Sequence, residues 1–194
     1  MPSLLPTRKA GVLPADRRVI PLAGQIAQDT ALAALIGGNL FGRFAMAPAL
    51  TDISDAAQRG QVLNRAWRRY GTVNSAALVG LVAGWATARR AETVLPVPSS
   101  GRRVLLTAKD VAVATVVVSG LASAAGGVAF AQQAPDGAVP MASGSDPSAQ
   151  TPGRAATLKR LTGALASLNL GAELSLVAIN ALLLRSTARY LITG

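Results

Sequence analysis

Leu161–Leu184 reads LTGALASLNLGAELSLVAINALLL, twenty-four residues carrying a single charge, Glu173, and followed by Arg185 and Arg189. A bilayer's hydrocarbon core takes about 20 mostly apolar residues in helical form, so this run is long enough to cross with some tilt. The pattern recurs at about Thr30–Leu50, Thr72–Ala88 and Val111–Ala131. The expected fold is therefore all-α: a bundle of four transmembrane helices over residues 30–194, preceded by a polar N-terminal segment over residues 1–29.

Composition agrees with this reading. Half of the chain is hydrophobic (51%) but only 4% is aromatic. Ala, Val, Leu and Gly supply the apolar character, a mix suited to closely packed membrane helices. The spanning lengths argue against the alternative, a soluble bundle with unusually apolar helices. Basic residues sit in pairs beside the apolar runs, as Arg17-Arg18, Arg68-Arg69, Arg89-Arg90, Arg102-Arg103 and Lys159-Arg160. Such flanks meet lipid headgroups and set orientation. The net charge of +10 thus points to a lipid bilayer as partner and not to nucleic acid, for which no RNP, finger or basic-zipper motif is present. Near the span ends, eleven Lys and Arg lie on the side of the two termini and seven on the other. That excess places both termini in the cytoplasm, with the chain integral to the cell (inner) membrane. Arg far outnumbers Lys and Ala is abundant, as in proteins of GC-rich bacterial genomes.

The chain has no Cys and no His. Disulfides, thiol redox chemistry, iron–sulfur clusters, His-ligated haem, ordinary zinc sites and Ser-His or Cys-His nucleophiles are excluded together. No cofactor and no metal are expected.

The segments between spans carry their own signals. Pro2, Pro6, Pro14 and Pro21 suggest an irregular leader, and no apolar h-region precedes the first span as in a cleavable signal peptide. Gly37, Gly38 and Gly42 offer a close-packing surface on span one, and Pro48 is expected to end or kink it. Between Asp52 and Tyr70, apolar residues recur at helical spacing among Arg59, Arg65, Arg68 and Arg69. Two readings are open. One is an amphipathic interfacial helix after the first span, with Asp52 as its cap and Trp67 and Tyr70 as anchors. The other is a helical extension of span two. Gly80 and Gly84 form a GxxxG pattern that marks close helix contact. Ser119, Gly120, Ser123 and Gly126-Gly127 form a second small-residue surface. Asp110, beside Lys109, is expected to complement the dipole at the start of span three. Pro96 and Pro98 break the connector before it, and Gln132–Thr157 reads as an external surface loop.

The candidate site lies inside the bundle. Asn39 and Arg43 are four residues apart on span one and share a face. Asn169, Glu173 and Asn180 form one stripe on span four, and Asn74 opens span two. A lone charge mid-bilayer costs about 2.5–3.5 kcal/mol on insertion scales. Arg43 and Glu173 are therefore expected to pair, with Asn39, Asn169, Asn180 and Asn74 hydrogen-bonding around them. That core either glues spans one and four or lines a pocket for a ligand, ion or proton.

The layout resembles the small four-helix bacterial integral membrane proteins grouped with anthrone oxygenase. The resemblance rests on a small-residue first span ending Met46-Ala47-Pro48-Ala49-Leu50, the amphipathic segment and second span after it, and the polar turn Asn169–Glu173 in the last span. It implies a cofactor-independent membrane enzyme acting on an apolar substrate, with Arg43 to polarise an oxygen and Glu173 as acid or base. The His that members of the group often carry in the last span has no counterpart here. The residues themselves, with no Walker, HExxH or GxSxG motif, favour a structural, interaction or small-molecule-binding bundle. Its partners would be a protein, a second copy or an apolar small molecule. A proton- or ion-coupled carrier using Glu173 is the third class.

Overall fold

The breaks between helices fall where the sequence withdraws a backbone donor or supplies a cap. The computed structural model describes the backbone of residues 15–92 and 100–193, and side chains over 22–90 and 100–185. Within these are four long helices: α1 (Ala15–Phe41), α2 (Ala56–Glu92), α3 (Ser100–Ala131) and α4 (Gly153–Thr193). Among the described residues the only β pairing is an isolated bridge between Met141 and Pro147. The fold is all-α. Pro2, Pro6, Pro14, Pro96 and Pro98 lie outside the described residues.

Three helical stretches, Leu22–Asp52, Ser100–Ala131 and Gly153–Arg185, are long and apolar enough to cross a membrane. α2 is not among them: the uncharged run between Arg69 and Arg89 is diluted by Thr72, Asn74, Ser75, Thr87 and three glycines. Its first half, with Arg59, Arg65, Arg68 and Arg69, is not a separate interfacial helix. α2 runs unbroken for 37 residues, since Gly71 alone costs a helix only about 1 kcal/mol and no proline interrupts it. Asp55, not Asp52, caps it: the carboxylate accepts the Gln58 N–H at 2.7 Å. The segment expected to be an irregular leader is already helical from Ala15. α3 starts at Ser100, so Asp110 stands several turns inside the helix and away from its dipole end. It accepts instead from the Trp85 indole at 2.8 Å and from Arg89, which ties α2 to α3.

Pro48 acts ahead of itself. It has no N–H to give the Phe44 carbonyl. The helix widens into a π turn over Gly42–Met46, recovers over Ala47–Ala49, tightens to a 3₁₀ turn at Leu50–Asp52 and ends at extended Ile53.

α1 packs chiefly on α2, and α3 on α4. Each pair is antiparallel: Gly24 faces Thr87 while Gly42 faces Trp67, and Gly120 meets Asn169 while Gly126 meets Thr162. The two hairpins close on a core of Leu32, Leu35, Leu81, Val113, Val116 and Leu176. A second core sits at the end where α2, α3, α4 and the 3₁₀ turn at Leu50 meet the loop after α3. There Val139 and Met141 are fully buried against Leu50, Leu63, Phe130 and Ala155. This loop is an ordered cap. Met141 N–H donates to the Ala56 carbonyl at 2.9 Å, Gly144 N–H to Ala47 at 3.2 Å, and the Asn64 amide to Gly137 at 2.7 Å. It ends earlier than expected, at the start of α4.

Gly60 is where cap and bundle come closest. A Cβ there would sit 1.8 Å from the Val139 carbonyl oxygen and 2.9 Å from its carbon. Both are backbone atoms and cannot swing aside. Gly60→Ala is expected to lift the cap, at the roughly 1–3 kcal/mol typical of overpacking. Limited proteolysis within residues 132–152 should accelerate severalfold. Unchanged cleavage would mean that the cap does not bear on α2 in this way.

Candidate functional site

The interior polar layer is drawn from three helices. Glu173 of α4 has 0% of its surface exposed. Asn39 of α1 places its Nδ2 at 3.0 Å from both carboxylate oxygens and at 3.2 Å from Asn169 Oδ1. One NH2 group thus divides two hydrogens among three acceptors. Asn169 in turn donates to the Val116 carbonyl at 2.8 Å and to Ser119 Oγ at 2.9 Å, both on α3. The Ser119 hydroxyl donates to the Thr115 carbonyl at 2.6 Å. The result is a continuous chain of hydrogen bonds from the α4 carboxylate through α1 to the α3 backbone. Buried amides and hydroxyls placed this way hold membrane helices together, at up to about 1–2 kcal/mol per contact.

α2 adds an aromatic wall. Tyr70 donates its hydroxyl to the Ala34 carbonyl at 2.6 Å. Its ring meets Trp67 edge-on, centroids 6.0 Å apart at 77°. Gly38 and Gly42 make room for this pair: a Cβ at Gly38 would lie 2.1 Å from the Tyr70 oxygen, and one at Gly42 would lie 2.6 Å from the Trp67 ring. The glycines of span one therefore admit aromatic side chains as well as a neighbouring backbone.

The expected Arg43–Glu173 pair does not form. The Arg43 guanidinium is exposed and donates to Ser167 Oγ at 2.8 Å. The π turn that begins at Gly42 takes Arg43 out of the α-helical register that would put it on one face with Asn39. Asn39, Asn169 and Glu173 are brought together; Asn180 and Asn74 are not. Asn180 is buried with neither amide atom partnered. Asn74 is half-buried and makes no side-chain hydrogen bond. Two polar residues were missed. Ser119 reads in sequence only as a small residue. Gln28, fully buried with both amide atoms unpartnered, lies in the supposed leader. Its helical spacing from Ala31, Leu32 and Leu35 was the signal that could have found it.

Two clefts mark the surface. An open, largely apolar groove of about 1020 Å³ runs between α3 and α4, past Val104, Val111, Thr115, Leu168 and Ser175. A polar cleft of about 460 Å³ is lined by Gln61, Arg65, Arg68, Arg69 and Asp136. Glu173 lines neither. Its carboxylate has no exposed surface and accepts from Asn39 at both oxygens. Compared with protein-family models, curated proteins and solved structures, the chain shows no match.

Proposed function

We propose that this is a multi-pass membrane protein in which all four helices cross the bilayer, and that its role is that of a structural or interaction bundle, not an enzyme or a carrier. The spacing of basic residues along α2, α4 and the first helical stretch supports the crossing. Arg69 and Arg89 of α2 are twenty residues apart, about 30 Å, the thickness of a hydrocarbon core. Arg160 and Arg185 of α4, like positions 18 and 43 along the first helical stretch, are twenty-five apart, or about 37 Å. α2 would then cross with its second half, while Ala56–Arg69 continues the same helix about 20 Å further, through the headgroups and out beneath the cap. The excess of Lys and Arg on the opposite side favours cytoplasmic termini and an external cap.

The observation that carries the structural role is the sealed Glu173. It stands twelve residues from Arg185 and thirteen from Arg160, about 18–20 Å from either girdle. An acid or a proton carrier at that depth needs a path for substrate or water, and this carboxylate has no exposed surface. The apolar groove opens toward the lipid side, where acyl chains fill it without a dedicated ligand.

Dicyclohexylcarbodiimide tests the reading, because it modifies carboxyl groups reached from the lipid phase. Glu173 is expected to stay unmodified in the folded protein and to react after denaturation in SDS, as read by peptide mass mapping. Modification of Glu173 in the folded state would reject the sealed junction and favour the enzyme or carrier classes.

A further inference from the structure

Three arginines near the two ends of α2 and the π turn are held by groups of the chain. Arg43 is engaged by Ser167, Arg59 by the Ala142 and Ser54 carbonyls, and Arg89 by Asp110. Arg65, Arg68 and Arg69, by contrast, have no hydrogen bond or ion pair among the described residues. All three are exposed. Their i, i+3, i+4 spacing puts them on one face of α2, and together they line the 460 Å³ cleft. Asp136 stands across it, in a turn where it takes φ 54° and Gly137 takes φ 71°. That turn is fixed to α2 by the buried bond from Asn64 to the Gly137 carbonyl. The cleft is thus a built concavity with a net lining charge of +2, and among the described residues none forms an ion pair with its three guanidinium forks.

We propose that Arg65, Arg68 and Arg69 form a binding cleft for a phosphate group, supplied by the headgroup of an anionic phospholipid or by a phosphate in the aqueous phase. Guanidinium forks match phosphate oxygens two at a time, which ammonium groups cannot do. Asp136 disfavours a dianion and suits the single negative charge of a phosphodiester. The lipid source rests on the four-span reading: Arg69, about 30 Å along α2 from Arg89, then lies where bilayer phosphates lie. Trp67, 40% exposed beside these arginines, belongs at the same depth.

The test is native mass spectrometry of the full chain released from detergent micelles, with phosphatidylglycerol, phosphatidylcholine or inorganic phosphate added in separate arms. Wild type should retain phosphatidylglycerol over phosphatidylcholine, and the triple variant R65Q/R68Q/R69Q should lose at least tenfold of that retention. The charge-preserving variant R65K/R68K/R69K should lose severalfold. Retention of inorganic phosphate without lipid would support the cleft and assign the aqueous source. Equal lipid and phosphate retention by wild type and the Gln variant overturns the proposal. Equal retention by the Lys variant overturns it too, leaving only diffuse charge attraction. Circular dichroism checks folding, and the single variant R68Q replaces the triple if that unfolds. The crossing of α2 is read separately, by impermeant maleimide labelling of Thr51→Cys and Ser100→Cys in intact cells. Labelling on the same side would sink the four-span reading and leave the phosphate result interpretable.

Discussion

Gly84→Ala forces α1 and α2 apart, whereas Gly80→Ala leaves the pair intact. The two glycines belong to one GxxxG pattern, yet their surroundings differ. A Cβ at Gly84 would lie 2.5 Å from the Gly24 carbonyl oxygen, 2.7 Å from Gln28 Cβ and 2.9 Å from Gln28 N. Two of these are backbone atoms of α1, so a helix must shift rather than a rotamer. The expected loss is at the upper end of the roughly 1–3 kcal/mol typical of overpacking. At Gly80 the nearest atoms are Ala31 Cβ at 3.4 Å and the Ala27 carbonyl at 3.7 Å, ordinary van der Waals contact. There the helix preference for Ala over Gly, about 0.5–1 kcal/mol, makes the change neutral or slightly stabilising. Thermal unfolding in micelles, followed by circular dichroism, separates the two. Equal losses would mean that the α1–α2 contact is not centred on Gly84.

Much of this architecture is legible in the sequence, for reasons that also explain where legibility stops. Apolar run length needs no tertiary information, so helices α1, α3 and α4 are read directly. The GxxxG pattern signals close approach correctly at Gly84, because only small residues let backbones meet, while at Gly80 the pattern overstates it. Asn39, Asn169 and Glu173 fall into one layer because polar groups in apolar helices turn inward. Arg43 is misplaced because its position depends on a π turn set by Pro48, five residues downstream, and straight-helix spacing cannot anticipate it. The cap is invisible for another reason. Val139 and Met141 are scattered among Gly, Pro and Ser with no period, and they become core only because Leu50, Leu63 and Phe130 surround them. The continuity of α2 is ambiguous in sequence because its halves have opposite polarity on one helical spacing. The contacts of Tyr70 with α1, of Trp67 with the π turn, and of Ala56, Gly60 and Asn64 with the cap settle where its first half lies.

Asn39→Leu is expected to damage the bundle more than Arg43→Ala, and a second change at Glu173 is expected to repair much of the damage. In the folded chain Asn39 supplies the donors to both oxygens of a carboxylate with no exposed surface. Leucine leaves that carboxylate buried without a partner, at roughly 1–3 kcal/mol or more if it is charged. The surface bond from Arg43 to Ser167 carries no such penalty, and its loss should stay within about 0.5 kcal/mol. Asn39→Leu with Glu173→Leu removes the stranded group together with its donor. Asn169 still reaches Val116 and Ser119, so the double variant should be more stable than Asn39→Leu alone, with a coupling of about 0.5–3 kcal/mol. Exchanging Arg43 and Glu173 should rescue nothing, because the two do not meet. SDS titration of these four variants and of Glu173→Leu alone measures all of these terms in one experiment. If Arg43→Ala matched Asn39→Leu, Arg43 would be the true counter-ion of Glu173. If the double variant fell below both singles, the layer would owe its strength to packing volume rather than to the Asn39–Glu173 bond.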